Sequence, residues 1–145
     1  MNTLLTDALL YNMYWERRNT PEMATRGIVV RRDIPEWIEA RKDKLAAALG
    51  LSADDTGIEG RDGTGLKTEI PWVRVCSQSR SPSATTGWYI VYLFSAQGDR
   101  VYLSLNQGTT SWNGMDFVRR PASELVPRVR WARTALGRVS HVERA

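Results

Sequence analysis

The chain has 145 residues, of which 42% are hydrophobic and 25% charged, with a formal net charge of +4. This composition is ordinary for a globular protein, excludes a disordered chain, and predicts a single domain over residues 1–145. One cysteine, Cys76, excludes an internal disulfide and a cysteine-based zinc site. No apolar run reaches the roughly 20 residues of a membrane span, and no secretory signal is evident. A cytoplasmic protein without a membrane partner is expected.

Positive charge is concentrated near the C-terminus. Residues 117–145 carry seven arginines against two glutamates, a net of +5, whereas residues 1–116 have a net charge of −1. Seventeen of the twenty basic residues are arginine. Arginine matches phosphate with a fixed fork of donors, which favours a polyanion partner, but a GC-rich coding sequence explains the bias equally well.

A first helix is predicted over residues 3–17, because apolar residues recur there at helical spacing. It would end before Pro21, since proline cannot continue a helix. Residues 27–30 fit either a short strand or an extended link. The predicted core face of this helix contains Leu5, Ala8, Leu9 and Met13.

The strongest local prediction is a second helix over residues 34–49. Asp33 can cap it, and Pro35 falls in its first turn, where a missing N–H costs nothing. Gly50 provides a left-handed stop after the last turn.

Three strands follow, predicted at Ile70–Cys76, Trp88–Phe94 and Arg100–Leu105 from their β-branched and aromatic residues. The second is apolar at every position, as in a strand covered on both faces. The third alternates, which predicts one buried and one exposed face of an antiparallel sheet. Gly98 suits the tight turn of a hairpin between the last two strands. The predicted faces of the third strand are Val101, Leu103 and Leu105 on the buried side and Tyr102, Ser104 and Asn106 on the other.

A third helix is predicted over residues 122–136, ended by Gly137. Its core face would contain Leu125, Val129, Ala132 and Leu136. For its arginine-rich face a solvated surface is favoured over a DNA contact. With strands in the middle and helices at both ends, the chain is predicted to be α+β, with a twisted, mostly antiparallel sheet.

The stretch 52–67 contains four glycines, three of which form the pattern Gly60-x-x-Gly63-x-Gly65-x-Lys67. It lacks the adjacent Gly-Lys-Ser/Thr of a nucleotide-binding P-loop, so a surface turn or hairpin is favoured. Close approach of this backbone to a nucleic-acid phosphate stays open, because glycine removes the side chain.

Catalytic patterns are absent from the sequence. The single histidine, His141, falls in the C-terminal tail, so no Ser-His or Cys-His arrangement has a credible base. The carboxylates show no metal-ligand spacing. No enzyme activity, cofactor or metal is therefore expected for this segment.

Aromatic residues are numerous, with six tryptophans and five tyrosines. One interpretation is that these rings fill the core. The other is that Trp72, which opens a strand directly after the glycine-rich stretch, provides a stacking face for a single-stranded or extruded base.

Three separated motifs resemble the N-terminal domain of McrB-like modification-dependent restriction proteins. They are Glu69-Ile-Pro-Trp72, the run from Ser83 to Phe94, and Gly98 to Gly108, so the match is firmest over residues 60–110. The resemblance implies an anti-phage module that binds 5-methylcytosine or a hydroxymethylated base in duplex DNA by base flipping. In the family this module is joined to a motor or nuclease domain, so the chain is expected to be the recognition part of a longer restriction endonuclease.

The resemblance also implies roles for single residues. Trp72 matches the tryptophan that stacks on the flipped base, and Leu93 matches the pocket position facing its methylated edge. The best-studied branch has a tyrosine where this chain has Thr64 followed by Gly65. Trp88, Tyr89 or Trp112 could provide the missing ring, or the pocket suits a different modified base. The phosphate-contact candidates are Arg61, Lys67, Arg74 and Arg80, each with ordinary solvated charge as the alternative, and Asn106 is a candidate for bonding a base edge.

Two other function classes remain open at this point. A protein-interaction adaptor would use its aromatic surface to dock a partner and would bind little DNA. A metal-dependent nuclease would show turnover with a divalent ion.

Overall fold

The computed structural model describes residues 1–138, and His141 lies outside this range. The chain divides into two compact units, Met1–Gln107 and Gly108–Ala145. The first unit begins with helices and ends with a four-stranded antiparallel sheet in the order β1-β2-β3-β4. Its helical elements are α1 (Asn2–Asn12), α2 (Pro21–Ile28), a π-helical turn (Val29–Asp33), α3 (Ile34–Glu39) and α4 (Lys42–Leu49). Its strands are β1 (Thr56–Arg61), β2 (Trp72–Ser77), β3 (Trp88–Phe94) and β4 (Val101–Gln107).

The second unit contains a hairpin and a helix. Its elements are β5 (Thr110–Trp112), β6 (Phe117–Arg119) and α5 (Ala122–Arg138). The two strands pair antiparallel. Together the elements of both units confirm the predicted α+β class. Within residues 1–138, no helix is long and apolar enough to cross a membrane.

The core of the first unit lies between the helices and one face of the sheet. Fully or nearly buried apolar side chains meet there from both layers. Each fully buried valine, isoleucine or phenylalanine among them stabilises the fold by about 1.5–3 kcal/mol relative to an exposed one. The other face of the sheet, which points away from the helices, is the helix-distal face. The core side chains are Ala8, Val29, Val30, Ile34 and Ile38 from the helices and Val73, Val75 and Phe94 from the sheet.

The prediction of a strand or link at residues 27–30 is wrong, because this segment is helical. Thr20 is the N-cap of α2, and its hydroxyl accepts a hydrogen bond from the Met23 N–H at 3.3 Å. Pro21 occupies the first helical position, where its fixed φ favours the helix. Thr20 and Pro21 therefore mark the start of α2. The sequence analysis used Pro21 only as the end of the first helix.

The predicted helix over 34–49 is interrupted and has no cap at its start. Asp33 has helical backbone angles, and its side chain pairs with Arg32 instead of capping. Ala40 and Arg41 separate α3 from α4. The stop at Gly50 is confirmed, with φ of 64° in the left-handed region.

The first helix ends at Asn12, five residues before the predicted end. The fully buried Asn12 amide donates to the carbonyl oxygens of Ser95 at 2.7 Å and Glu69 at 3.0 Å. This long-range bonding joins the end of α1 to two loops of the sheet.

The strand predictions are confirmed in order, and β3 has the predicted bounds. The hairpin turn at Gly98 is also confirmed, with φ of 71°. The predicted buried face of β4 is confirmed only at Val101, which packs against the core, and is wrong at Leu103 and Leu105, which are 64% and 41% exposed. β4 is an edge strand with a neighbour on one side only, and the side chains of Leu103 and Leu105 remain largely open to solvent.

The predicted helix over 122–136 is confirmed as α5, but the predicted stop at Gly137 is wrong, because the helix continues to Arg138. Ala132 is buried as expected, whereas Val129 and Leu136 are exposed. The core face of α5 is therefore narrower than its apolar spacing predicts.

Candidate nucleic-acid interface

Four residues form a row across the sheet at the end where β1 leads into the loop of residues 62–71. Arg61 lies opposite Trp72, and Trp72 lies opposite Leu93. Leu93 in turn lies opposite Tyr102. Directly opposite residues on neighbouring strands project to the same face. Because Val73 packs into the core on the other side, this row lies on the helix-distal face.

The row is accessible across its width. Trp72 and Leu93 are half-buried, Arg61 is exposed and Tyr102 is 51% exposed. The sheet thus brings the two residues predicted for the pocket side by side. Tyr102 is a neighbour of Leu93 that the sequence analysis did not assign to the site. The alternation of β4, which separates Tyr102 from Leu103, was the signal that could have identified it.

Arg74 lies one row further along on the same face and is held inside the protein. Its Nε donates to Glu59 at 2.7 Å, and its terminal nitrogens donate to the carbonyl oxygens of Ser81 at 3.1 Å and Pro82 at 3.4 Å. The side chain is only 5% exposed. The guanidinium therefore fastens the loop of residues 78–87 to the sheet, and the structure gives no support to Arg74 as a direct phosphate contact.

Burial and the positive charge of Arg74 shift the pKa values of the ionisable groups around it. Burial works to raise the pKa of Glu59, but hydrogen bonds from Arg74 and Arg61 outweigh it and hold that pKa below the ordinary value. Burial raises the pKa of the Tyr89 phenol, with Arg74 acting in the opposite direction. Burial likewise raises the pKa of Cys76. Glu59 is thus a carboxylate held in its charged form by two guanidinium groups.

Two of the three residues considered as the missing ring, Trp88 and Tyr89, lie apart from the Trp72 row. Trp88 lies opposite Gln107 and projects to the other face from Leu93. Tyr89 shares the helix-distal face but is four residues from Leu93, or roughly 13 Å along the strand. Its hydroxyl donates to the Ala84 carbonyl at 3.0 Å. Trp112 belongs to β5 of the second unit. Within the first unit, neither Trp88 nor Tyr89 is beside the predicted pocket.

The loop of residues 62–71 joins Arg61 directly to Trp72, and its tip is open to solvent. Thr64 and Gly65 are both exposed. Gly65 has φ of +78°, and a Cβ at this position would meet nothing within 4 Å. The residues that match the family's tyrosine-glycine pair therefore stand at the same end of the sheet as the row.

Lys67 is held by a buried carboxylate instead of facing solvent. Its Nζ lies 2.6 Å from an oxygen of Asp62, and the two side chains are 8% and 0% exposed. Its backbone N–H donates to the Arg17 carbonyl at 2.9 Å. The ammonium therefore anchors the loop, and the structure gives no support to a direct phosphate contact by Lys67.

Two further predicted residues lie elsewhere on the surface. Arg80 is exposed, and its backbone N–H donates to the Ser77 hydroxyl at 3.2 Å. The Asn106 side chain accepts a hydrogen bond from the Ser104 hydroxyl at 2.7 Å. Asn106 is on the helix-distal face opposite Tyr89, two rows away from the Trp72 row. Arg61 and Arg80 thus remain as exposed cations among the predicted phosphate contacts.

The potential metal-ligating side chains of residues 1–138 are dispersed. Over this range, no three His, Cys, Asp or Glu side chains are grouped closely enough to hold a metal ion.

Comparison with known proteins identifies one family. The family model described as MrcB-like, N-terminal domain, matches residues 9–143 and so covers nearly the whole chain. It spans both compact units and extends well beyond the motifs at residues 60–110. No curated protein and no solved structure matches the chain significantly.

Proposed function

The chain belongs to the MrcB-like N-terminal domain family, a family of DNA-binding modules rather than catalytic domains, and we propose that it recognises modified cytosine in duplex DNA by base flipping. The flipped base would stack on Trp72 and present its modified edge to Leu93. The observation that carries this proposal is the direct pairing of these two half-buried residues on the helix-distal face.

The energetics fit a recognition module. Stacking of a base on an aromatic ring contributes about 1–3 kcal/mol. A methyl group against an apolar wall contributes another 1–3 kcal/mol, roughly. The methyl contact distinguishes modified from plain cytosine, and the two contributions together supply only part of the affinity. Most of the affinity comes from phosphate contacts, with Arg61 and Arg80 as exposed candidates, and is salt-dependent.

Tyr102 is the residue that takes the place of the family's missing second ring. It lies two strands from Trp72, or about 10 Å between the backbones, with Leu93 between them. A base resting on Leu93 would then have an aromatic side chain on either side. This arrangement accounts for a short Thr64 in the loop, since the second ring comes from β4.

The proposal extends to the partners of the module. As a recognition domain, it would act with a motor or nuclease domain, in the same chain or in a separate one, and the complete system would be a modification-dependent restriction endonuclease. This part rests on family membership alone.

Mobility shifts with three duplexes of one sequence, carrying cytosine, 5-methylcytosine or 5-hydroxymethylcytosine, test the recognition step. Trp72→Ala should weaken binding to the preferred duplex by roughly 5- to 150-fold, because about 1–3 kcal/mol of stacking is lost. Binding to plain duplex should stay within about twofold. Trp131→Ala, which removes a 63% exposed tryptophan from α5, is the matched control. Equal binding of modified duplex by Trp72→Ala and the parent would disprove the pocket.

The adaptor function is the second candidate, and one observation favours it. An apolar groove of about 480 Å³ lies between the helices and the sheet, with exposed Leu103 at its edge. The same mobility shifts separate the two candidates, since an adaptor would bind none of the three duplexes. The groove is lined mainly by Trp37, Ile38, Leu45, Leu49, Ile90, Tyr92 and Leu103.

A further inference from the structure

A separate cleft, called here the loop cleft, lies between α2 with its π-helical turn and the glycine-rich loop. Its volume is about 400 Å³, which is sufficient for a phosphate group together with part of the attached sugar. It belongs to the first unit and does not include Trp72 or Leu93. Its lining residues are Asn19, Ala24, Ile28, Arg31, Gly63, Gly65 and Lys67.

Positive charge exceeds negative charge beside this cleft. Arg31 and Lys67 both pair with Asp62, at 3.3 Å and 2.6 Å. Arg26, which is fully buried, donates to the Asp62 carbonyl at 3.3 Å and to the Asn12 side chain. Three cations thus surround one carboxylate, an excess of two charges in a region partly shielded from water. Such an excess attracts an anion more strongly than the same charges would in bulk solvent.

Arg31 is the member of the group that is able to reach a ligand. Its side chain is 49% exposed, whereas that of Lys67 is 8% exposed. The Arg31 Nε donates to the Gly27 carbonyl at 3.1 Å, which holds the guanidinium over the helix. Its ion pair with Asp62 is long, and that carboxylate oxygen accepts no hydrogen bond from the described residues. The terminal nitrogens of Arg31 therefore retain donors for a ligand.

The glycine-rich loop supplies further donors. Within residues 1–138, the four consecutive N–H groups of residues 63–66 donate no hydrogen bond to a protein acceptor. Gly63 has φ of +116°, and a Cβ there would lie 2.0 Å from the Leu66 carbonyl oxygen. Successive unpaired backbone N–H groups in such turns form concave anion-binding sites.

We propose that the loop cleft binds a phosphodiester group of the DNA backbone, through Arg31 and the N–H groups of the glycine-rich loop. This inference rests on the proposed function and deepens it. The loop ends at Trp72, so a phosphate held here lies at the same end of the sheet as the Trp72 row. The contact would set the duplex in position for the flipped base without reading its sequence.

The first test compares two neighbouring arginines of the π-helical turn. Arg31→Gln should weaken binding to modified and plain duplexes by the same factor and lower the salt dependence of log K by about one unit, as expected for one lost phosphate contact. Arg32→Gln is the matched control, because Arg32 is 62% exposed and its Nε lies 2.8 Å from a carboxylate oxygen of its neighbour Asp33. An unchanged salt dependence in Arg31→Gln would overturn the proposal.

A second pair of variants tests the loop without touching the buried charges. Gly65→Asp and Gly65→Asn introduce side chains of nearly equal size, both tolerated at positive φ, that differ by one negative charge. If the loop cleft binds phosphate, the aspartate variant should bind every duplex more weakly than the asparagine variant. Equal binding by the two variants would count against the cleft.

A titration with inorganic phosphate separates this inference from the proposed function, because it needs no DNA. Amide NMR signals of Gly63 and Gly65 should shift saturably with phosphate but not with chloride at equal ionic strength, and Arg31→Gln should abolish the shift. If phosphate does not shift these amide signals, the loop cleft is not an anion-binding site. If the signals shift with phosphate but Arg31→Gln binds duplex with the same salt dependence as the parent, the loop cleft binds an anion other than the DNA phosphodiester. Loss of the preference for modified duplex would disprove base recognition while leaving the loop cleft in place.

Discussion

Single charged residues in this protein act mainly through the partners that the fold gives them. Glu59 bonds two guanidinium groups, and Arg74 depends on it for neutralisation because only 5% of its side chain is exposed. Removing one partner of a buried charged pair leaves the other without compensation. Asp62 has the same role for Lys67, whose side chain is 8% exposed. Glu59 and Asp62 thus determine, through their ion pairs, which basic side chains are available to contact DNA.

Acid titration should reveal the contribution of Glu59. Its pKa is lower in the folded protein than in the unfolded chain, so its stabilising effect is complete above the unfolded value of about 4.3 and is lost as the pH falls through the folded value. Glu59→Gln should lower the free energy of unfolding at pH 7 by roughly 1–3 kcal/mol and flatten its decline in acid.

The measurement is denaturant unfolding at several pH values between 7 and 3. Glu39→Gln is the control, since Glu39 is 53% exposed and pairs with Lys42 on the surface of the helices. If Glu59→Gln declined in acid as steeply as the parent, the bonds from Arg74 and Arg61 would not be the source of the lowered pKa.

At the scale of elements, the π-helical turn places the helices against the sheet. Pro35 cannot donate the hydrogen bond that the Arg31 carbonyl would otherwise accept, and the helix widens just before it. The Ile34 N–H instead bonds the Val29 carbonyl, five residues back. The turn brings the Val30 carbonyl so close to β1 that a Cβ on Gly60 would lie 1.9 Å from its oxygen. It also presents Arg31 to the loop cleft.

Gly60→Ala should therefore be strongly destabilising. The methyl group meets backbone, which cannot rotate away, so a loss near the upper end of the roughly 1–3 kcal/mol of overpacking is expected. Gly57→Ala on the same strand is the control, because its nearest neighbour is the Gln78 side chain, which is exposed and can move. Thermal unfolding of both variants measures the difference. Similar midpoints for the two would mean that β1 and the π-helical turn are not tightly packed.

At the scale of the whole molecule, net charge alone does not identify the DNA-binding surface. The second unit is rich in arginine, but Arg128 and Arg120 both pair with Glu124 on or beside α5. Arg130 and Arg133 are exposed. For these two, a solvated helix surface remains the favoured interpretation.

The double variant Arg130→Gln/Arg133→Gln tests that interpretation. If α5 does not contact DNA, the salt dependence of duplex binding should match that of the parent, with only a small uniform loss of affinity from the reduced long-range field. The loss of two phosphate contacts would instead lower the magnitude of the slope of log K against log salt concentration by nearly two units. Mobility shifts between 50 and 200 mM salt distinguish these results, with Arg31→Gln as the comparison.

What the sequence by itself determined is the local order of the chain. Periodicity and turn chemistry predicted β3, the hairpin at Gly98 and α5, because those patterns depend on neighbours a few residues apart. The motifs also predicted the family, which the match over residues 9–143 confirms.

The tertiary structure decided which residues share a face and which charges are neutralised. Register across four strands put Tyr102 beside Leu93 and separated Trp88 from both. The fold also pairs Lys67 with the buried Asp62, and the loop of residues 78–87 encloses Arg74. These outcomes depend on contacts between residues far apart in the chain, and a periodic pattern contains no information about such partners.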